Sequence, residues 1–219
     1  MQNLTKPSLL ICLFFAISLN IICQAPIQIL KLEGDIKFDG IPNEKAWGNT
    51  SPFPMIMHVP TFGLNPSLDT DIRLLYDDNY FYLGATMYVS DPDLIQAYGK
   101  KRDFRSGTTD YIGVSFDSYN DKENNFFFLT NPNGLRMDGT VINDATVDEG
   151  EPVNLNWNTF WEVKTIIEDS AWHTEFKIPI SSLRFRESDE EVIMGLCIYR
   201  FVQGLNESYI FPEIPYDWG

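Results

Sequence analysis

Asp39-Gly40-Ile41-Pro42-Asn43-Glu44-Lys45-Ala46-Trp47 opens with an aspartate-glycine turn, passes a proline and closes on a tryptophan. Asp-Gly and Pro are residues that reverse or stiffen a chain, so the stretch reads as a turn followed by one short helical piece over 43–47. Almost nothing after it carries the 3.6-residue period of a helix. Runs of alternating apolar and polar residues follow instead, broken by turn residues every 8–12 positions or so, the pattern of an all-β domain.

The strands predicted in this way are Ile27 to Leu32, Thr70 to Tyr76 and Tyr80 to Val89, the last two joined by Asp77-Asp78-Asn79 as a hairpin. In Asp110 to Asp117, Ile112, Val114 and Phe116 share one face, because side chains in a strand alternate. Phe126 to Thr130 and Leu135 to Ile142 form a second hairpin around Asn131-Pro132-Asn133-Gly134. Trp161 to Ile167 and Trp172 to Ile178 form a third around Glu168-Asp169-Ser170. Trp172, Thr174, Phe176 and Ile178 face one way there, and His173, Glu175 and Lys177 the other. Val192 to Phe201 is apolar almost throughout and reads as a central strand buried on both faces. Further helical pieces are expected only at Leu94 to Tyr98 and Ser181 to Leu183.

Residues 1–25 hold Lys6 and then the apolar run Leu9 to Ile22, the form of a secretory signal peptide cleaved near Ala25. Residues 26–219 are then expected to be one domain, and export places the chain in the periplasm, cell envelope or medium. No transmembrane span is expected in the mature chain. With Cys12 and Cys23 in the leader, Cys197 stands alone in an apolar run and reads as core. The formal net charge of −15 disfavours nucleic acid as a partner.

Several spaced pieces point further. They are Asp39-Gly40 with Glu44 and Trp47; Leu74 to Asp78; Leu83-Gly84; Ser90-Asp91-Pro92; Asp110 to Asp117; Asn131-Pro132 with Gly134; and Asp138-Gly139. Others are Trp161-Glu162, Trp172 with Glu175, Ile178-Pro179 with Ser182 to Phe185, and Gly195-Leu196 with Arg200. Together the chain resembles the family 9 carbohydrate-binding modules over nearly all of 36–208. The resemblance implies an antiparallel, jelly-roll-like β-sandwich and a saccharide ligand rather than catalysis, in a family that often accompanies glycoside hydrolases and carbohydrate catabolism. It extends to the amino-terminal domain of large secreted bacterial proteins in which such a domain precedes an outer-membrane barrel. A downstream barrel, with this domain as a structural or interaction element on its periplasmic side, is the alternative it implies.

Sugar recognition needs an aromatic face for the C–H side of the ring and amides or charges for the hydroxyls. Trp47, Trp161 and Trp172 read as core. Trp157 lies in the polar loop Asn154 to Asn158 and is the candidate platform. Tyr98 and Tyr111 are candidates for a second ring, where the family's sugar binders use a second tryptophan. Asn131, Asn156, Arg102 and Asp110 are candidate hydrogen-bonding groups. The resemblance also implies calcium, for which Asp77, Asp78, Asp91, Asp93, Asp117 and Asp121 offer hard oxygen ligands. His58 and His173 have no zinc-like spacing. A glycosidase would require a carboxylate pair, and Glu162 with Glu175 on neighbouring strands is the candidate.

Overall fold

The computed structural model describes residues 26–104, 107–143, 152–184 and 191–214. The leader assigned to residues 1–25, and Phe185 among the family-like positions, lie outside them. The described residues form strands β1 (Leu30–Lys31), β2 (Ile56–Val59), β3 (Thr70–Tyr76), β4 (Tyr80–Tyr88), β5 (Tyr111–Asp117) and β6 (Asn125–Thr130). After these come β7 (Arg136–Val141), β8 (Val153–Asn154), β9 (Glu162–Glu168), β10 (Ala171–Pro179), β11 (Gly195–Val202) and β12 (Glu207–Phe211). Among the described residues helical structure is confined to 3₁₀ turns such as Lys45–Asn49, Pro92–Leu94 and Ile180–Ser182. The fold is an all-β sandwich of a five-stranded sheet ordered β1-β3-β4-β10-β9 and a seven-stranded sheet ordered β2-β12-β11-β5-β6-β7-β8.

The alternation read from the sequence is what seals the two sheets together. Ile72, Leu74, Leu83, Ala85, Met87, Trp172, Phe176 and Ile178 project from the five-stranded sheet into one core. Ile112, Val114, Phe116, Phe128, Ile198 and Phe211 meet them from the other. Each such valine, leucine, isoleucine, methionine or phenylalanine, fully buried, contributes about 1.5–3 kcal/mol. Trp161 and Trp172 are also fully buried, as the sequence suggests. All three expected hairpins are present, with the cross-strand registers continuous.

Several strands differ from expectation. β1 is only two residues long, because the segment pairs with β3 in parallel only at Leu30 and Lys31. β11 begins at Gly195, and Val192 and Ile193 before it are exposed. Its continuous apolarity hides an alternation: Ile198, Arg200 and Val202 are buried, whereas Cys197, Tyr199 and Phe201 are half-buried on the outer face. β2 was not legible because the register shift leaves His58 as an extra residue in it, and β12 because Tyr209, Ile210 and Phe211 are all buried and show no alternation.

Candidate functional site

The Asp39-Gly40 turn is a lid on a buried carboxylate. Glu175 lies on the outward face of β10 yet is 1% exposed, because Oε2 accepts the backbone amides of Asp39 (2.9 Å) and Gly40 (2.8 Å). Gly40 sits at φ +103, a left-handed conformation that favours glycine. Glu44 then accepts the indole N–H of Trp47 at 3.1 Å, and the Trp47 ring packs against Gly84. A Cβ at Gly84 would come within 2.9 Å of that indole ring, so only glycine lets the lid seat.

This arrangement answers the glycosidase reading. Burial raises the pKa of Glu175, and its Oε1 has no hydrogen-bond partner. Cross-strand register sets Lys177 opposite Glu162 and Lys164 opposite Glu175, so the two carboxylates are diagonal neighbours rather than an opposed pair. Glu162 is on the surface, 3.8 Å from Lys177, and Glu175 is sealed beneath the turn. No substrate can reach both.

Three segments, 96–104, 131–136 and 154–161, meet at one end of the sandwich. Asn131 uses both ends of its amide there: Nδ2 donates to the Tyr98 carbonyl at 2.8 Å, and Oδ1 accepts from Asn133 N and Leu135 N. Arg102 donates to Asn158 Oδ1 at 3.1 Å and to Asp138 Oδ1 at 2.8 Å. Asp138 is fully buried and also accepts the Trp161 indole N–H and the Thr159 amide, each at 3.1 Å. Arg136 donates to the Trp161 carbonyl. Thr159 and Trp161 are thus both pinned, and Phe160 between them is turned outward at 76% exposure, the highest of any large apolar side chain described.

Phe160 borders an open cleft of about 230 Å³ along the start of β9, with Phe38 also in its wall. Arg136, Glu162 and Lys164 supply its charged groups, and the half-buried Phe38 is held by a 2.8 Å hydrogen bond from the Lys164 ammonium to its carbonyl. Two aromatic rings flanked by an acid and two cations make a surface able to pack against one face of a ring and hydrogen-bond its polar rim.

The candidates read from the sequence fall around this end but in other roles. Trp157 is half-buried, with its ring 4.9 Å from Phe126 and 6.0 Å from Phe128, so it caps the core. Asn156 is exposed and its amide closes a turn onto Asn154. The Tyr98 ring is 58% exposed, close to the Asn131 turn in the chain path. Tyr111 instead stacks on Phe201 at 5.4 Å, on the outer face of the seven-stranded sheet. Phe160 was missed, although a sign was present: if Trp161 points inward, alternation turns its predecessor outward.

Asp110 is buried at the foot of the same end, where its carboxylate accepts the amides of Gln203 (2.8 Å) and Gln96 (3.3 Å). Burial outweighs these bonds and pushes its pKa up to about 6. An acid with a raised folded-state pKa favours the fold when protonated, so its contribution is complete below the unfolded value and is lost as pH rises through about 6. Stability is therefore expected to gain up to roughly 3 kcal/mol from this group between pH 7 and pH 4. Urea midpoints of wild type and Asp110→Asn across that range check it, since the variant should lose this part of the slope.

The carboxylates expected to hold calcium serve turns. Asp77 accepts from Asn79 N, Tyr80 N and the Tyr82 hydroxyl, and Asp78 pairs with Lys31. Asp91 caps the 3₁₀ turn through Asp93 N. Asp117 accepts from Asp121 N and Lys122 N, and Asp121 from Glu123 N and Asn124 N. Among the described residues no three histidine, cysteine or acidic side chains converge as a cation site. No helix among them is long and apolar enough to cross a membrane.

No protein-family model matches this sequence, and no curated protein matches it. Solved structures do match the fold. A family 9 carbohydrate-binding module from Caldicellulosiruptor kristjanssonii, in complex with glucose, is 17% identical with a TM-score of 0.55, covering 84% of this chain and 83% of its own. A family 9 module from the same organism in complex with cellotriose is 16% identical with a TM-score of 0.53, over 83% of this chain and 82% of its own. A Bacteroides uniformis protein provisionally described as carbohydrate-binding is 14% identical with a TM-score of 0.59, over 84% and 87%. The sandwich, with its aspartate-glycine lid and its exposed Phe160, therefore has the fold of a family 9-like carbohydrate-binding domain.

Proposed function

We propose that this chain is a non-catalytic, exported saccharide-binding module that holds its ligand in the cleft between Phe160 and Phe38. The observation that carries the reading is Phe160 itself. An aromatic ring at 76% exposure on a rigid loop leaves a large apolar surface in water, which a ligand's C–H face would remove. Arg136, Glu162 and Lys164 stand beside it to meet hydroxyls with donors and an acceptor. Two of the similar structures hold glucose and cellotriose, which makes β-glucans the first class to try.

Isothermal titration with glucose and cello-oligosaccharides tests this. Binding is expected in the micromolar to millimolar range, and Phe160→Ala should weaken it by about tenfold or more, the usual size of a lost stacking contact. Phe160 is not part of the core, so the variant's melting temperature should stay close to wild type. Unchanged affinity in the variant, or no binding across a panel of plant and microbial glycans, would remove the proposal.

A further inference from the structure

We infer that β9 is the contact strand of a symmetric dimer, in which two copies of this chain join their five-stranded sheets edge to edge. β9 ends its sheet, with β10 on one side and no strand on the other among the described residues. The hydrogen-bonding direction of each residue follows from the register. The backbone bonds from Tyr88 to Asp69 and from Val89 to Ser170 alternate sides across β4. Carried through β10 to β9, the same alternation points Glu162, Lys164, Ile166 and Glu168 toward β10 and leaves the N–H and C=O groups of Val163, Thr165 and Ile167 aimed outward. Such a row is a template for a further strand.

Charge complementarity selects the occupant. Two β9 strands meeting antiparallel around a two-fold axis must match outward residues with outward residues, so their registers differ in steps. An axis at Lys164 opposes two ammonium groups, and an axis at Thr165 sets Glu162 against Glu168. An axis at Ile166 opposes Ile166 with its own copy and Lys164 with Glu168 twice, once on each side. Of these only the last joins opposite charges around an apolar centre; an axis at Val163 would also oppose Glu162 with Lys164, but it calls on the Trp161 carbonyl, which Arg136 already holds, and Ile166 and Ile167 are 38% and 49% exposed at the favoured axis. Lys164 and Glu168 keep partners within the chain, the Phe38 carbonyl and His173, but each has further hydrogen-bonding capacity.

Sedimentation velocity of the chain, without any sugar, decides the matter over a micromolar to submillimolar range. A reversible monomer–dimer equilibrium is expected. Glu168→Lys should raise its Kd by about tenfold or more, because two lysine–lysine oppositions replace the two pairs. The double variant Lys164→Glu with Glu168→Lys restores opposite charges and should recover most of the association. Wild type that stays monomeric throughout, or a dimer indifferent to Glu168→Lys, would overturn the proposal. Sugar titration does not enter this readout, so failure of either proposal leaves the other standing; because Val163 and Lys164 belong both to the cleft wall and to this edge, bound sugar is expected to compete with the dimer.

Discussion

Replacing Arg200 with methionine is expected to destabilise the fold by about 3 kcal/mol or more, with an unchanged urea m-value. Arg200 rises from β11 in the seven-stranded sheet and is 2% exposed. Its guanidinium donates to the Asp69 carbonyl (2.7 Å), the Thr70 hydroxyl (2.8 Å) and the Tyr88 carbonyl (2.8 Å) at the ends of β3 and β4. Burial lowers its pKa to about 10, the mark of a charge removed from water. Losing that desolvation cost favours methionine. Against this, the Tyr88 carbonyl is orphaned at a cost of about 1–3 kcal/mol, and the Asp69 carbonyl, which keeps the Tyr88 amide, and the Thr70 hydroxyl each lose a charge-assisted hydrogen bond worth about 1.5–3 kcal/mol. The second effect wins because both carbonyls are main chain and cannot turn toward solvent without parting the sheets. A variant as stable as wild type in urea titration would show that water replaces the guanidinium.

Asp138→Ala is expected to weaken binding about as much as Phe160→Ala, by roughly tenfold or more, and to cost about 3 kcal/mol in stability as well. Its carboxylate faces only donors, namely the Arg102 guanidinium, the Trp161 indole and the Thr159 amide. Removing it frees the residues on both sides of Phe160 and leaves Arg102 without its buried partner. Asparagine is not a rescue, because its NH₂ group must confront one of the three donors; Asp138→Asn should fall between wild type and alanine in both respects. Calorimetry with the best cello-oligosaccharide and urea denaturation of both variants measure the two effects separately. Affinity retained in Asp138→Ala would mean that the loop keeps its shape without the carboxylate.

Much of the sandwich was written in local pattern. Ile112, Val114 and Phe116 on β5, and Trp172, Phe176 and Ile178 on β10, entered the core as their alternation required. The family-like pieces proved to be structural in physical terms, with Asp39-Gly40 joined to Glu175 across |i−j| of 136 and 135, and Glu44 joined to Trp47. Such long-range bonds have no local signal, which is why Glu175 could be read as one half of an open pair. The same limit applied to Trp157. Its polar neighbours suggest solvent, but Phe126 and Phe128 on another strand draw it inward. Phe160 gains its exposure from Asp138, more than 20 residues earlier in the chain. Turn aspartates such as Asp77 and Asp121 satisfy nearby amides in the structure.

The pinning of Thr159 and Trp161 also has a kinetic consequence. A ring already held in its final position asks for no loop closure before a ligand can settle on it. Encounter should then proceed at a rate set mainly by diffusion and be nearly the same for every sugar that fits. Discrimination between a good ligand and a poor one would appear almost wholly in how long each remains bound.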